Sequence, residues 1–431
     1  MKFLGTNIQK TVFFLIVFFL SSQVGLHFWP EFSYVHGIRI DYLSPTLYLL
    51  DILIIALFLF SLPKLGRLIN YIQIESFPKL LLLLFILSLL WNLFLAKLPE
   101  AHLFGIIKSI EFFFLALFTA YNFQKKDIPS FIDVLSLSAI VSSVLAIWQF
   151  LRQESIGGLW YFFGERTFNI STIGISTVNL DSQILRPYGA FPHPNVLAFF
   201  LFVAIVFSTL RIVHEEKIYQ KIFLSLTIFI SSLALIFTFS RTSLFLLILF
   251  LFYIIYTKAK PNTIRFLFIV SLLAILVIPY STQHIGSNFF LRGIDFRQEL
   301  FLQSFQIFAN NLYFGIGINN FFIHQAQLIK EISPVLFQPP HNIFVLALLS
   351  LGIFGWWIFP AVFILAIRSL FTKLRTTDNE LKDFYRSVLF VLLGIIIVGM
   401  FDHFFLTLEQ GQIILALIFG LSFARLKNRP R

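Results

Sequence analysis

Residues 194–213 read PNVLAFFLFVAIVFSTLRIV. No charged side chain occurs between Pro194 and Leu210, and the run ends where Arg211 is followed by HEEK at 214–217. A helix of about 20 apolar residues crosses the hydrocarbon core of a bilayer. Runs of this kind recur along the whole chain. We read twelve, at about 11–29, 43–62, 78–96, 101–122, 128–151, 194–213, 218–239, 242–257, 264–280, 342–367, 384–401 and 408–424. The first follows Lys2 and Lys10 as a signal peptide would, but it has no clear small-residue cleavage site, so a retained helix is expected.

Composition agrees. Of the 431 residues 58% are hydrophobic and only 12% are charged, and the mean hydropathy is +0.87. Ordinary soluble domains carry about 25% charge. The expected fold is therefore an all-α polytopic membrane protein of about twelve transmembrane helices. It is expected as one transmembrane domain over 1–431, with a large outer-face loop, 281–341, between helices nine and ten. Cysteine is absent, which excludes disulfides, thiolate metal sites and cysteine nucleophiles.

The net charge of +11 is explained by its distribution. With both termini in the cytoplasm, 22 of the 32 Lys and Arg residues fall on short inner links and nine fall outside. That is an orientation signal with contacts to membrane lipids, and it requires no nucleic acid. The outer side holds two long segments, about 152–193 and 281–341. The second contains FRQELFLQSFQIFANN (296–311), in which Phe301, Phe305 and Phe308 share one helical face with the following Leu312. The pattern predicts an amphipathic helix lying on the membrane or capping a cavity.

Polar groups crowd the outer ends of four helices. The openings are RPYGAFPHPN (186–195), SRTS (240–243), PPHN (339–342) and LEQGQ (408–412). Helix N-termini present unpaired N–H groups and a positive dipole, so they suit anions. Asn195, Ser240 or Thr242, and Asn342 are suitable N-caps, and simple helix termination explains them as well. Arg186 and Arg241 offer planar guanidinium forks to phosphate oxygens, against a reading as interfacial snorkelling. Arg297 is a third such group or an ordinary solvated arginine. His341 is either a bystander at a cap or a proton acceptor with an ordinary pKa of about 6.5. Asp402 and His403 either orient groups at an outer site or belong to a capped turn. Within the spans, Lys108 and Glu111 are three apart and read as an ion pair or part of a proton or ion pathway, with Asp51 a further intramembrane charge.

Several chemistries find no pattern in the chain. It has no GxxxxGK[ST] loop, no HExxH helix, no GxSxG elbow and no D-x-D triplet, so no metal-bound nucleotide sugar is indicated. GIGINNFF (315–322) matches a dinucleotide fingerprint only superficially and reads as a tight loop.

Taken together, RPYGAFPHPN, FSRTS, NLYFGIGINNFF, PPHNIFVLALLSLG and GMFDHFFLTLEQGQIILALIFGL resemble, in order and spacing over 186–421, the O-antigen ligase and O-antigen polymerase superfamily of bacterial membrane glycosyltransferases. The resemblance implies an inverting, metal-independent, cofactor-free transfer of a glycan from undecaprenyl diphosphate to a glycan or glycolipid acceptor, at the outer face of the bacterial cytoplasmic membrane. It implies that Arg186, Arg241 and Arg297 bind the diphosphate and that His341 takes the acceptor's proton, with Asn195, Asn342, Asp402 and His403 in support. Ligases of the family commonly have serine after that histidine, whereas Asn342 follows it in this chain, which leaves a polymerase open. A transporter or flippase of lipid-linked oligosaccharide is the alternative from another class; its expected sign is charge at the midplane of several spans.

Overall fold

The computed structural model describes residues 2–71, 79–180, 182–258, 287–329 and 337–426. The expected span at 264–280 lies outside them, as do parts of the expected 281–341 loop. The chain is mostly helical, with three short two-stranded sheets among the described residues. Among the described residues, five helices are long and apolar enough to cross a membrane: Leu49–Leu68, Pro99–Asn122, Lys125–Arg152, Pro194–Ile212 and Ile218–Phe237. A sixth span is counted if the bent pair Ile343–Trp356 and Ile358–Thr376 is taken as one. Shorter apolar helices occupy Ile8–Phe19, Lys79–Leu95, Arg241–Thr257 and Glu409–Phe423. The expectation of twelve full spans is thus met only in part.

The first expected span, 11–29, is helical only as far as Phe19. Beyond Ser21 and Ser22 the chain turns extended, and Gly25–His27 pairs antiparallel with Thr46–Tyr48. Between them Tyr34–Val35 and Ile38–Arg39 form a hairpin through His36 and Gly37, both at positive φ, as a tight two-residue turn demands. The second expected span accordingly begins at Leu49, where Asp51 accepts from the Tyr48 N–H at 2.8 Å.

The chain forms two compact units, Met1–Leu135 with Glu299–Arg431, and Ser136–Gln298. In the first, the Glu409–Phe423 helix packs along Pro99–Asn122. The approach is close at Gly420, where a Cβ would meet Thr119 and the Ala116 carbonyl. The expected span 342–367 is broken, and its halves are inclined at 88°. Gly352, at φ +64°, interrupts the first half and strips backbone groups of helical partners. The chain at 312–317 replaces those partners. Ile316 and Gly317 N–H donate to the Leu349 and Ser350 carbonyls at 2.8 and 3.0 Å. In return Ile353 and Phe354 N–H donate to Leu312 and Tyr313 at 2.9 and 3.1 Å. Non-helical backbone at a membrane helix persists only where protein satisfies it in this way. The GIGINNFF stretch is a tight loop, as expected, and its task is to fill this break.

The expected amphipathic helix exists as Ser287–Ala309. Its packed face within the first unit carries Leu300, Ser304 and Ile307. Phe301 and Phe305 lie on an exposed face instead.

In the second unit Pro194–Ile212 is buried nearly all round. Ile218–Phe237 and Arg241–Lys258 pack on it. A helix apolar on every side belongs at the centre of its bundle. The 152–193 segment is anchored by Gln149, which accepts from Tyr188 and Gly189 N–H and donates to Glu165 and to the Gly189 carbonyl. Glu165 in turn accepts from Ile156 and Gly157 N–H at 2.7 Å.

Candidate functional site

In the first unit the approach to the Ile343–Trp356 helix begins with Pro339 and Pro340, which cannot donate to a preceding turn. Asn342 is the N-cap. Its Oδ1 accepts from Phe344 and Val345 N–H at 2.9 and 3.1 Å, and its Nδ2 donates to the Met400 carbonyl at 3.3 Å. The cap is made by Asn342, so the His341 ring is not the capping group. Met400 closes the Asn379–Gly399 helix, and the next residues are Phe401, Asp402 and His403. The Asn342 bond therefore ties PPHN to the DH turn, 58 residues further along the chain.

His341 and His403 meet edge to face, ring centroids 5.0 Å apart. Tyr42 packs edge to face on His403 at 5.6 Å and stacks on Phe322 at 5.5 Å. His403 and Asp402 are buried, while His341 is half-buried. Asp402 accepts from the His403 N–H at 2.8 Å and fixes the turn. The Thr407 hydroxyl donates to the His403 carbonyl and lies 2.7 Å from His403 Nδ1. The Thr407 hydroxyl thereby holds the Nδ1 edge of the His403 ring in place. The residues missed from sequence are Tyr42, Phe322 and Thr407. Tyr42 precedes its helix in a 3-10 turn, and nothing in DYLSPT points 361 residues ahead to His403.

The phenol–histidine cluster leans on the Phe321–Gln325 helix. There His324 has its pKa pushed down to about 4, by burial first and then by the charge of Lys97.

The second unit holds the three arginines. Arg186 donates from Nε to the Thr238 carbonyl at 2.6 Å, from Nη1 to Ser176 Oγ at 2.9 Å and from Nη2 to Asn195 Oδ1 at 2.6 Å. Three of its N–H donors are thus committed to the protein. Asn195 is not the N-cap that the sequence suggested. His193 is, accepting from the Asn195 N–H at 3.1 Å, because Pro194 takes the first helical position and places Asn195 inside the first turn. The Asn195 side chain serves Arg186 instead.

Arg186 holds the turn that presents Arg241. Thr238 is followed by Phe239 at φ +52°, a conformation that costs a bulky residue roughly 1–2 kcal/mol. Phe239 and Phe237 pack on Phe150, which holds that conformation in place. The helix then opens with Arg241, which is exposed. Arg297, also exposed, lies near enough for its positive charge to act on Arg241. Two like charges brought together at a helix N-terminus make an electropositive corner suited to an anion.

Residues 226–360 match the family model for O-antigen ligase. The matched segment includes Arg241, Arg297, the 312–317 loop and the His341–Asn342 cap, and it ends before Asp402 and His403. The resemblance noted from sequence is to the same family. A comparison with curated proteins found no match. The apolar helices describe a multi-pass membrane protein, and residues 226–360 of it are similar to O-antigen ligases.

Proposed function

We propose that the chain is an outer-face glycosyltransferase of the bacterial inner membrane that moves a glycan from undecaprenyl diphosphate to an acceptor hydroxyl. The observation that carries this is His341, which stands beside the Asn342 cap inside the O-antigen ligase segment, its ring turned against His403. In the reaction the acceptor oxygen attacks the anomeric carbon from the face opposite the diphosphate. The bond from that carbon to the diphosphate oxygen breaks, and the lipid diphosphate leaves with the electron pair. His341 takes the hydroxyl proton. The configuration inverts.

Arg241 and Arg297 neutralise the departing diphosphate, so that guanidinium charge serves in place of a metal. Arg186 acts through the 238–240 turn and keeps Arg241 in position. His403, oriented by Thr407 and Asp402, holds the His341 ring by packing.

The test is transfer in liposomes containing purified protein, a lipid-linked glycan and a defined acceptor. His341→Ala is expected to lose roughly 10²–10⁴-fold in transfer, the usual worth of a general base, with donor binding retained. Wild-type transfer in that variant sinks the assignment. Asn342, in place of the serine usual in ligases, favours a second reading within the family, a polymerase. Glycan joined to a lipid A core identifies a ligase, and a lengthened lipid-linked glycan identifies a polymerase. Movement of the lipid across the bilayer with neither product identifies a flippase.

A further inference from the structure

Apart from the residues assigned to transfer, the first unit gathers four charged side chains from three helices, Asp51 and Glu409 buried and Lys108 and Glu111 half-buried. Asp51 comes from Leu49–Ser61, Lys108 and Glu111 from Pro99–Asn122, and Glu409 opens Glu409–Phe423. Lys108 Nζ contacts all three acids, Asp51 Oδ1 directly, Glu111 Oε2 at 3.0 Å and Glu409 Oε2 at 2.9 Å. An ammonium has three N–H donors, and each carboxyl group of the cluster receives one. The expected Lys108–Glu111 pair is therefore part of a larger cluster, and Tyr48 is a further titratable group near it.

The charges do not balance. Three ionised carboxyl groups against one ammonium leave two net negative charges in a region shielded from water. One oxygen from each acid lies within 4.8 Å of the others. Asp51 is within hydrogen-bonding reach of both Glu111 and Glu409. Two ionised carboxyl groups at that distance repel, whereas a proton between them makes a bond. Glu409 is 4% exposed, and its Oε1 is buried with no donor facing it. The buried Glu111 Oε1 also lacks a donor. A metal ion would meet these oxygens too, but the Lys108 ammonium already occupies the point that all three acids share.

We propose that this cluster is a proton-binding site, with a proton held between Glu409 and Asp51 at neutral pH and Lys108 neutralising the remaining carboxylate charge. The bound proton joins two helices of the first unit, and Lys108 ties in the third. It also fixes the start of the last helix, two residues beyond the Thr407 that orients His403. The site does not depend on the glycosyl-transfer reading, and its test is independent of activity.

The experiment is infrared spectroscopy of the purified protein in liposomes at neutral pH. A protonated-carboxyl C=O band is expected in the wild type, lost or displaced in Glu409→Gln and again in Asp51→Asn. Glutamine has the shape of the protonated acid and supplies its hydrogen-bond donor, so Glu409→Gln is expected to melt within a few degrees of wild type. The absence of a protonated-carboxyl band from the wild type overturns the proposal without any variant. So does a band unchanged in both variants. A melting temperature that rises with sodium or calcium chloride, but not with choline chloride at equal ionic strength, also overturns it, because a metal cation then sits between the carboxyl groups in place of the proton.

Discussion

Arg186 and Arg241 look alike in the sequence, each a lone arginine where an apolar helix begins. The structure gives them different tasks. Arg186 satisfies the Thr238 carbonyl, Ser176 and Asn195, whereas Arg241 stands exposed near Arg297. Removing Arg241 or Arg297 is therefore expected to weaken binding of a lipid diphosphate by roughly 10–100-fold, the worth of a hydrogen bond to a charged group, without changing the melting temperature. Arg186→Ala is expected to lower both binding and the melting temperature, since it removes the donors that hold the buried Thr238 turn to Ser176 and Asn195. Binding of a fluorescent lipid diphosphate together with a thermal melt checks the distinction. An unchanged melt for Arg186→Ala removes its positioning role. The sequence showed which residue types stood at these helix ends, but not which acceptors each would find. That depends on the φ of Phe239, a bulky residue that hydropathy reads only as apolar.

At the scale of the element, the broken helix at 343–356 is the feature least legible in the sequence. LALLSLGIFGWW is uniformly apolar, and glycine is tolerated in membrane helices, so hydropathy sees one span. The break becomes intelligible only with the 312–317 loop in place, because the backbones of Gly315 and Gly352 touch and each excludes a Cβ on the other. Gly352→Ala is expected to cost roughly 2–5 kcal/mol, from the left-handed φ and the overlap together. Gly66→Ala, where a Cβ meets nothing within 4 Å, is expected to be neutral or slightly stabilising in the same melt.

The same loop leads into the Phe321–Gln325 helix, and its stability has a predictable pH dependence. His324 titrates near 6.5 when unfolded and at about 4 when folded, so between these values the unfolded chain binds the extra proton. Its contribution is whole above about pH 6.5 and declines as the pH falls towards 4. His324→Gln is expected to flatten the acid limb of the melting curve over that window. An identical acid limb in the variant would exclude His324 as its source. Because Phe322 stacks on Tyr42, and Tyr42 packs edge to face on His403, acid loosening of this helix is expected to reach the ring cluster.

For the whole molecule, the sequence yields an expectation of sidedness segment by segment, because lipid and membrane charge act on each segment independently of its tertiary partners. What it conveys poorly is which segments meet. The Lys108–Glu111 pair was visible as a three-residue spacing, but Asp51 and Glu409 reach it from other helices. The expected span at 11–29 ended at Phe19 because residues 25–27 found a partner at 46–48, a pairing no local pattern specifies. Sidedness itself is open to direct test, since the chain contains no cysteine and single cysteines can be added to an unmarked background. With both termini inside, Glu100→Cys and Ile173→Cys are expected to react with a membrane-impermeant maleimide on intact cells. Glu216→Cys and Thr376→Cys are expected to react only after permeabilisation. All four positions are exposed, so access is set by the membrane and not by packing. They sample both units, two sites in each. Labelling of Glu216→Cys or Thr376→Cys on intact cells, with Ile173→Cys protected, would reverse the orientation and put the arginines and His341 on the cytoplasmic side. A transfer from an outward-facing lipid diphosphate would then be excluded.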